Sequence, residues 1–531
     1  MTRISDHNAA TSETTIALRN ITMGEMLRQS ATQFPQRKAL AWLEGDIERT
    51  LTYVEMLAHA ERVAYWLSQH AQPGDRISVW SRNSVEWAIC EFGCALGGMI
   101  LAAWNPGWTD RECRHALDLV TPKLVLVGQD TRGESLIERA RQLCRDTAQA
   151  TQVYPLDDLL ILAAEAPLCT LPTPKPEEPF LIQFTSGTTG RAKGATLSHF
   201  AVANSGWIRT QLAQADETDV YVNPSPLNHV GGAVSMLPGP ISTGACYVVM
   251  NRFDSAEYIR LIKHFGATRI GGVPTVLMSI IEHPDFDASE YQLRSIGCGG
   301  STVPQPLIER LQRDLGCPVM NTFGQSEHPL IASTVIEDSV ACVAETVGRA
   351  LPHVEIEIRA IDSDTVLPAG EVGEICARSP YRMLGYWAAQ EATDKTIDAQ
   401  GFLHTGDLGT LDEAGYLRVV GRVRDVIIRG GENIYPAEVE DALLSHPCVA
   451  GAAVVAVPDK KLGQVVGAAV ILRAGEAPAT EDLQTFVAEQ ISYFKVPQHW
   501  LVVSEFPLTP SGKISKIQLE EQFANQVING V

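Results

Sequence analysis

With 531 residues, 45% of them hydrophobic and 20% charged, the chain can bury more than one core and is expected to divide into at least two domains. Its 63 acidic residues against 42 basic ones leave a formal charge of −21, which argues against a nucleic-acid or anionic-membrane partner, since either needs a basic face to displace counterions. Eleven scattered cysteines with no Cys-x-x-Cys pair argue against a disulfide framework or a zinc site and point to the reducing cytoplasm.

Met1 to about Thr15 is polar, shows no basic-then-apolar leader, and is expected to be loose. Thr52-x-x-Glu55 has capping-box spacing and is followed by Met56, Leu57, Ala60, Val63, Ala64 and Leu67, which predicts a helix. A strand over Arg76–Trp80 and a helix after Asn83 come next. The longest apolar run, Phe92–Trp104, is too short to span a bilayer and is expected to be a core helix. A strand over Leu124–Val127 and a helix around Leu136–Cys144 continue the alternation, which predicts βαβ units and a parallel sheet covered on both faces. Five prolines between Pro167 and Pro179 then form a stiff connector.

The apolar run Phe180–Phe184 reads as a buried strand that leads into Thr185-Ser186-Gly187-Thr188-Thr189-Gly190-Arg191-Ala192-Lys193-Gly194. Glycines permit close backbone approach, the hydroxyls donate hydrogen bonds, and Lys193 adds a positive charge, so this loop suits phosphate. It lacks the Gly-Lys-Ser/Thr ending of a Walker A loop. Strand and helix alternation resumes with Val220–Asn223, Cys246–Met250, a helix over Ala256–His264, a strand ending at Val273, and Leu293–Gly297, which implies a second lobe like the first. From Val354 to about Val420 short alternating strands predict a small β-rich subdomain. The last hundred or so residues mix helices (Pro436–Leu444, Glu481–Gln490) with strands (Ala452–Val457, Val465–Leu472) and read as a separate α+β lid.

The stretch Phe184–Gly194 resembles the phosphate loop of the adenylate-forming superfamily, with Ala192-Lys193-Gly194 where Pro-Lys-Gly is usual. Six further segments resemble the same superfamily in the same order, from about Thr52 to Ile514. Pro226-Leu227-Asn228-His229-Val230-Gly231-Gly232 resembles the segment whose histidine stands between the acyl pocket and the site of thioester formation. Gly297-Cys298-Gly299-Gly300-Ser301 resembles the turn lining the adenine and acyl pockets. Asn321-Thr322-Phe323-Gly324-Gln325-Ser326-Glu327 resembles Tyr-Gly-x-Thr-Glu, so Phe323 is expected to stack on adenine, Ser326 to face the α-phosphate and Glu327 to hold Mg²⁺. Thr405-Gly406-Asp407 resembles the motif whose aspartate accepts from both ribose hydroxyls. Gly421-Arg422-Val423-Arg424-Asp425 resembles the hinge motif, with Arg422 toward ribose or phosphate and Arg424 at the pivot. Pro507–Ile514 resembles the C-terminal motif whose lysine, here Lys513, reaches the active site.

The resemblance implies an α/β fold: a large N-terminal adenylation domain, residues 1–422, of two doubly wound lobes plus the β-rich subdomain, then a mobile lid, residues 423–531. It implies a ligase that uses ATP, Mg²⁺ and coenzyme A to convert a carboxylic acid to acyl-adenylate and then to thioester. In that scheme Thr185, Ser186, Gly187, Thr188, Thr189, Gly190, Lys193, Gly299, Gly300, Ser301, Asn321, Thr322, Phe323, Gly324, Ser326, Asp407 and Arg422 meet the nucleotide. His229, Gly231, Cys298 and Gly324 line the acyl pocket, Arg429-Gly430-Gly431 meets CoA, and Lys513, His229 and Glu327 carry the chemistry. Glycine pairs at Gly231-Gly232, Gly271-Gly272 and Gly299-Gly300 hint at a roomy pocket for a fatty, aryl or otherwise bulky apolar acid. Alternatives are a free-standing adenylation enzyme that loads a carrier protein and a non-catalytic ligand sensor on the same fold; Phe253-Asp254-Ser255 falls too late to mark an amino-acid substrate. The oligomeric state stays open, a homodimer included.

Overall fold

The computed structural model describes residues 3–4, 9–11, 16–145, 151–185, 192–299, 303, 305–361, 363–430, 432–508 and 514–529. They fall into two compact units. One comprises Met1–Ile356, Cys376–His404 and Ala414–Leu417, and the other Glu357–Ile375, Thr405–Glu413 and Arg418–Val531.

The first unit contains two extended, mainly parallel sheets. One has seven strands in the order Gly385–Tyr386, Lys193–Ser198, Pro179–Thr185, Ile100–Trp104, Arg76–Trp80, Leu124–Val127 and Gln152–Pro155. The other has nine, in the order Arg349–Ala350, His328–Ser333, Val319–Gln325, Ser295–Gly299, Arg269–Gly272, Val220–Val222, Cys246–Val248, Lys38–Glu44 and Ile47–Thr52. Parallel strands joined by helices bury both sheet faces, and runs such as Leu124–Val127 are accordingly buried at every position. Val222, Ile270, Ile296 and Val319 from neighbouring strands of the second sheet pack against helix residues Tyr258, Ile262, Leu277 and Leu311.

Local signals set several helix ends. Thr52 and Glu55 form a reciprocal capping box at Tyr53–Ser68, a cap of about 1 kcal/mol. The same device opens Met23–Gln33, from Thr22 and Glu25, and Asp110–Val120, from Thr109 and Glu112; neither helix was read from the sequence. The expected core helix over Phe92–Trp104 is corrected. The helix Val85–Gly97 stops at Gly98, whose φ of 70° is a left-handed cap, and Ile100–Trp104 is a buried strand. At the N-terminus Arg3–Ile4 and Ala9–Thr11 pair antiparallel where a loose segment was expected, since two or three residues are too few to show a period.

The second unit contains the α+β fold expected of the lid. Its sheet runs Glu432–Ile434, Ile427–Arg429, Gly463–Leu472, Val449–Asp459, and His499–Val502 pairs parallel with Gly463–Leu472. Helices Pro436–Leu444 and Thr480–Ala488 add Val439, Leu443, Leu483 and Val487 to a core with Val454, Val466 and Val470. Strands Glu355–Arg359, Gly373–Arg378, Leu403–Leu411 and Leu417–Arg422 stand in that order in a further sheet, as the β-rich pattern predicted, and the division between units falls within them.

Candidate active site

The predicted phosphate loop joins two antiparallel strands. Pro179–Thr185 pairs with Lys193–Ser198, and Lys193 stands opposite Thr185. Lys193 therefore belongs to a strand, where the sequence reading put it on the loop. Ser186, Gly187, Thr188, Thr189 and Gly190 lie outside the described residues, as do Gly300, Ser301, Gly431 and Lys513.

Above Lys193 lies a tyrosine that the sequence reading did not single out. The Lys193 Nζ is 4.8 Å from the centre of the Tyr386 ring, and the Tyr386 hydroxyl donates to Glu327 Oε1 at 2.7 Å. The ring is placed by the two-residue strand Gly385–Tyr386, which pairs with Ala195 and Thr196, and the Trp387 N–H donates to the Gly194 carbonyl at 2.7 Å. Burial, followed by the charge of Glu327, pushes the Tyr386 phenol up, so it stays a hydrogen-bond donor at neutral pH. The Gly-Tyr-Trp run was the signal available for it.

Glu327 sits in the turn between Val319–Gln325 and His328–Ser333, is 8% exposed, and accepts the Met383 N–H on its carbonyl at 2.8 Å. Its neighbour His328 is fully buried, bonds through Nε2 with Ser379 Oγ at 3.0 Å, and is pushed down to about 3 by loss of hydration. A neutral imidazole thus anchors the turn. Gly324 is required by space: a Cβ there would lie 2.1 Å from the Pro329 carbonyl oxygen.

The other predicted residues of this unit fall into three places. Cys298 and Gly299 end the strand Ser295–Gly299 beside Asn321 and Thr322; burial pushes the Cys298 thiol up to about 12, which makes it inert packing. Asn321 spends its side-chain amide on the Thr346 carbonyl at 3.1 Å, Phe323 is half-buried opposite Ala332, and Ser326 is buried. His229 is exposed ahead of the π-helical turn Gly231–Met236, and its Nδ1 accepts the Gly231 N–H at 3.3 Å. At Gly232, Gly272 and Gly299 the room is already taken by neighbouring atoms, which corrects the reading of these three. A Cβ at Gly232 would lie 2.2 Å from the Pro226 carbonyl oxygen, at Gly272 2.6 Å from Val276, and at Gly299 2.4 Å from the Thr322 carbonyl oxygen. These glycines admit neighbouring atoms instead.

A small cavity lies among four strands of the nine-stranded sheet, helix His199–Leu212 and the π-helical turn. Ala213, Met236, Ile270 and Met320 form its apolar wall, and Thr322 lines it as well.

In the second unit Arg422 Nε meets Asp407 Oδ1 at 3.1 Å, with the aspartate side chain almost covered, so these two predicted nucleotide contacts are already paired. Arg424 occupies the short turn Val423–Asp425, half-exposed, with Nε 3.2 Å from Asp425 Oδ1. Arg429 ends its strand, and Gly430, with φ 61°, turns the chain in a left-handed conformation that favours glycine.

The AMP-binding enzyme family matches residues 27–387, and the AMP-binding enzyme C-terminal domain matches residues 438–513. The mitochondrial medium-chain acyl-CoA ligase ACSF2 of Homo sapiens is 32% identical over 95% of this chain and 88% of its own length. The 3-[(3aS,4S,7aS)-7a-methyl-1,5-dioxo-octahydro-1H-inden-4-yl]propanoyl:CoA ligase of Rhodococcus jostii is 34% identical over 93% of this chain and 98% of its own. Among solved structures, ATP-bound MatB from Rhodopseudomonas palustris superposes with a TM-score of 0.88 at 25% identity, covering 96% of this chain and 99% of that one. The o-succinylbenzoate CoA synthetase of Bacillus subtilis, in complex with its acyl-adenylate intermediate, gives 0.81 at 29% identity, covering 93% and 97%. The likeness extends over nearly the whole length and takes in the C-terminal domain as well as the larger one. The chain therefore belongs to the AMP-binding enzyme family, in its acyl-CoA synthetase branch, and is an AMP-forming acid:CoA ligase.

Proposed function

We propose that this ligase activates an acid with a bulky apolar body, of medium-chain, aryl or fused-ring size, and that residues 1–422 form the adenylate while residues 423–531 act as a lid turning about Arg424. The observation that carries the site assignment is the group Lys193, Tyr386, Glu327, which sets a cation over the face of one phenol ring and a buried carboxylate at its hydroxyl. The apolar wall of Ala213, Met236, Ile270 and Met320, and the substrates named for the human and Rhodococcus relatives, support the choice of acid.

The first step joins two anions, so the work is positioning and charge neutralisation. Lys193 and the loop before it would hold the terminal phosphates of ATP. Glu327 is a hard, buried oxygen ligand with a fixed orientation and fits Mg²⁺, which when bound neutralises phosphate charge. Lys513 would bridge the carboxylate and the α-phosphate. Attack of the acid's carboxylate oxygen on that phosphorus expels pyrophosphate. In the second step the CoA sulfur attacks the acyl carbon and AMP leaves, with Arg429, Gly430 and Gly431 beside the incoming arm and His229 near the junction. Asp407 would accept the ribose hydroxyls once Arg422 shares its charge with the nucleotide. No described helix is long and apolar enough to cross a membrane. No disulfide joins any of the eleven cysteines, which fits the proposed reducing cytoplasm.

The test is pyrophosphate release across fatty, aryl and polycyclic acids, with and without CoA. Release without CoA, with AMP and thioester only when CoA is added, is expected. Specificity constants should climb from acetate by up to about 0.8 kcal/mol per buried methylene. ADP and orthophosphate as products would overturn the mechanism, adenylate without thioester at any CoA concentration would point to a carrier protein, and a flat trend would remove the bulky acid.

A further inference from the structure

The cavity beside helix His199–Leu212 contains more hydrogen-bond donors than the protein satisfies. Arg209, in the last turn of that helix, lines it and forms no ion pair with any carboxylate among the described residues; its nearest polar contact is Thr322 Oγ1, 3.5 Å from Nη1. The contrast with Arg269, in the same wall, is direct. Arg269 meets Asp219 at 2.8 Å, Ser295 Oγ at 2.7 Å and the Gln214 carbonyl at 3.1 Å. Tyr221 adds a buried hydroxyl without a partner among the described residues. Asn223, 2% exposed, lines the cavity and accepts the Ser225 N–H on its carbonyl oxygen at 2.8 Å, while its amide nitrogen has no hydrogen-bond acceptor among the described residues.

The backbone is shaped around this arginine. A Cβ on Gly297 would lie 2.6 Å from Arg209 Nη2, and one on Gly271, paired with Gly297 across the parallel strands, 2.7 Å from Asn223 Nδ2. Glycine in both strands opens the depression in which these donors converge. Loss of hydration lowers the Arg209 pKa, the direction expected of a guanidinium that lacks a counter-charge. A cation withdrawn from water without a partner costs several kcal/mol, and unmatched donors in one cavity call for a ligand that brings acceptors.

We propose that Arg209, with Tyr221 and Asn223, determines specificity by binding an oxygen acceptor at the end of the acid remote from the reacting carboxyl, a second carboxylate or a ketone on an otherwise apolar body. This rests on the ligase reading and on the cavity as the acyl site. Binding such an acceptor repays the burial of Arg209, whereas an acid ending in a methyl group leaves the donors unmatched, and sites built to bond an oxygen discriminate strongly against analogues that lack it.

The experiment compares three acids of equal chain length, ending in methyl, ketone or carboxylate, by kcat/KM for CoA-independent pyrophosphate release, in the wild type, Arg209→Met and Arg209→Lys. The wild type should prefer one of the oxygenated acids over the methyl-terminated one by at least roughly 10-fold. Arg209→Met should erase that preference, chiefly through KM, and Arg209→Lys should restore part of it for the carboxylate. Preference for the dicarboxylate over the ketone assigns charge pairing; the reverse assigns hydrogen bonding from Tyr221 and Asn223. A wild-type preference for the methyl-terminated acid overturns the proposal whether or not the variants fold. So does equal loss on all three acids in Arg209→Met, which would put the arginine at the reacting carboxyl or in the framework. Release with none of the three, or with ADP as product, would overturn the ligase reading itself.

Discussion

Replacing Tyr386 by phenylalanine removes one oxygen and leaves the ring under which Lys193 sits. The lost contact is a 2.7 Å hydrogen bond to Glu327, a carboxylate that is 8% exposed and has little water to turn to. A hydrogen bond to a charged group contributes about 1.5–3 kcal/mol, and a residue that orients a metal-binding carboxylate typically alters metal affinity by about 10- to 100-fold. The Mg²⁺ concentration giving half-maximal pyrophosphate release should therefore rise by at least about 10-fold in Tyr386→Phe. Tyr386→Leu should show the same rise and, with the ring gone from above Lys193, lose a further ~0.5–1 kcal/mol that appears as a raised KM for ATP. Both are read by titrating Mg²⁺ at fixed acid and ATP, with thermal melting as the control for folding. A wild-type Mg²⁺ midpoint in Tyr386→Phe would refute the claim that the phenol positions Glu327.

Two further perturbations follow from the same structure. Glu91, in helix Val85–Gly97, is fully buried with no partner for either carboxyl oxygen among the described residues, and burial pushes its pKa well up. The folded form holds its proton where the unfolded chain loses it, so the stability cost is absent below the unfolded carboxylate range and grows as pH rises through it toward the folded pKa; Glu91→Leu should raise the melting temperature more at about pH 8 than at about pH 4, and equal gains would refute this. Lys513→Ala should lower acyl-adenylate formation by roughly 10²–10³-fold and spare thioester formation from supplied acyl-adenylate, while Arg424→Pro should do the reverse by fixing φ at the pivot; equal loss of both steps in the lysine variant would make it structural.

Much of the fold was legible because it rests on local signals. Capping boxes and buried apolar runs name their own helices and strands, as at Thr52–Glu55 and Leu124–Val127. Glu327 could be singled out because side-chain chemistry clusters in sequence around it, whereas no such cluster marks a contact that depends on distant pairing. Tyr386 reaches Lys193 only through a two-residue strand that pairs with residues about 190 positions earlier, and no periodicity reports that. Arg209 lies on a helix buried over most of its surface, where an arginine reads as one more polar position until its surroundings are known. The reading of Gly232, Gly272 and Gly299 failed for a related reason: residue type reveals a missing side chain, not whether a neighbour or a ligand takes up the room.

The antiparallel pairing of Lys193 with Thr185 has a consequence for how this protein can vary. Seven residues, 186–192, separate two positions locked into adjacent strands, and that register is held by the burial of Leu181, Ile182, Ala195 and Leu197. A one-residue slip would turn each of those side chains to the opposite face. The register of the two strands therefore fixes the lysine independently of how many residues lie between them. Descendants of this gene can lengthen, shorten or rewrite the loop without relocating the cation, so its hydroxyls and its charge are free to diverge separately, and a library that randomises residues 186–192 samples nucleotide handling against a fixed electrostatic reference point.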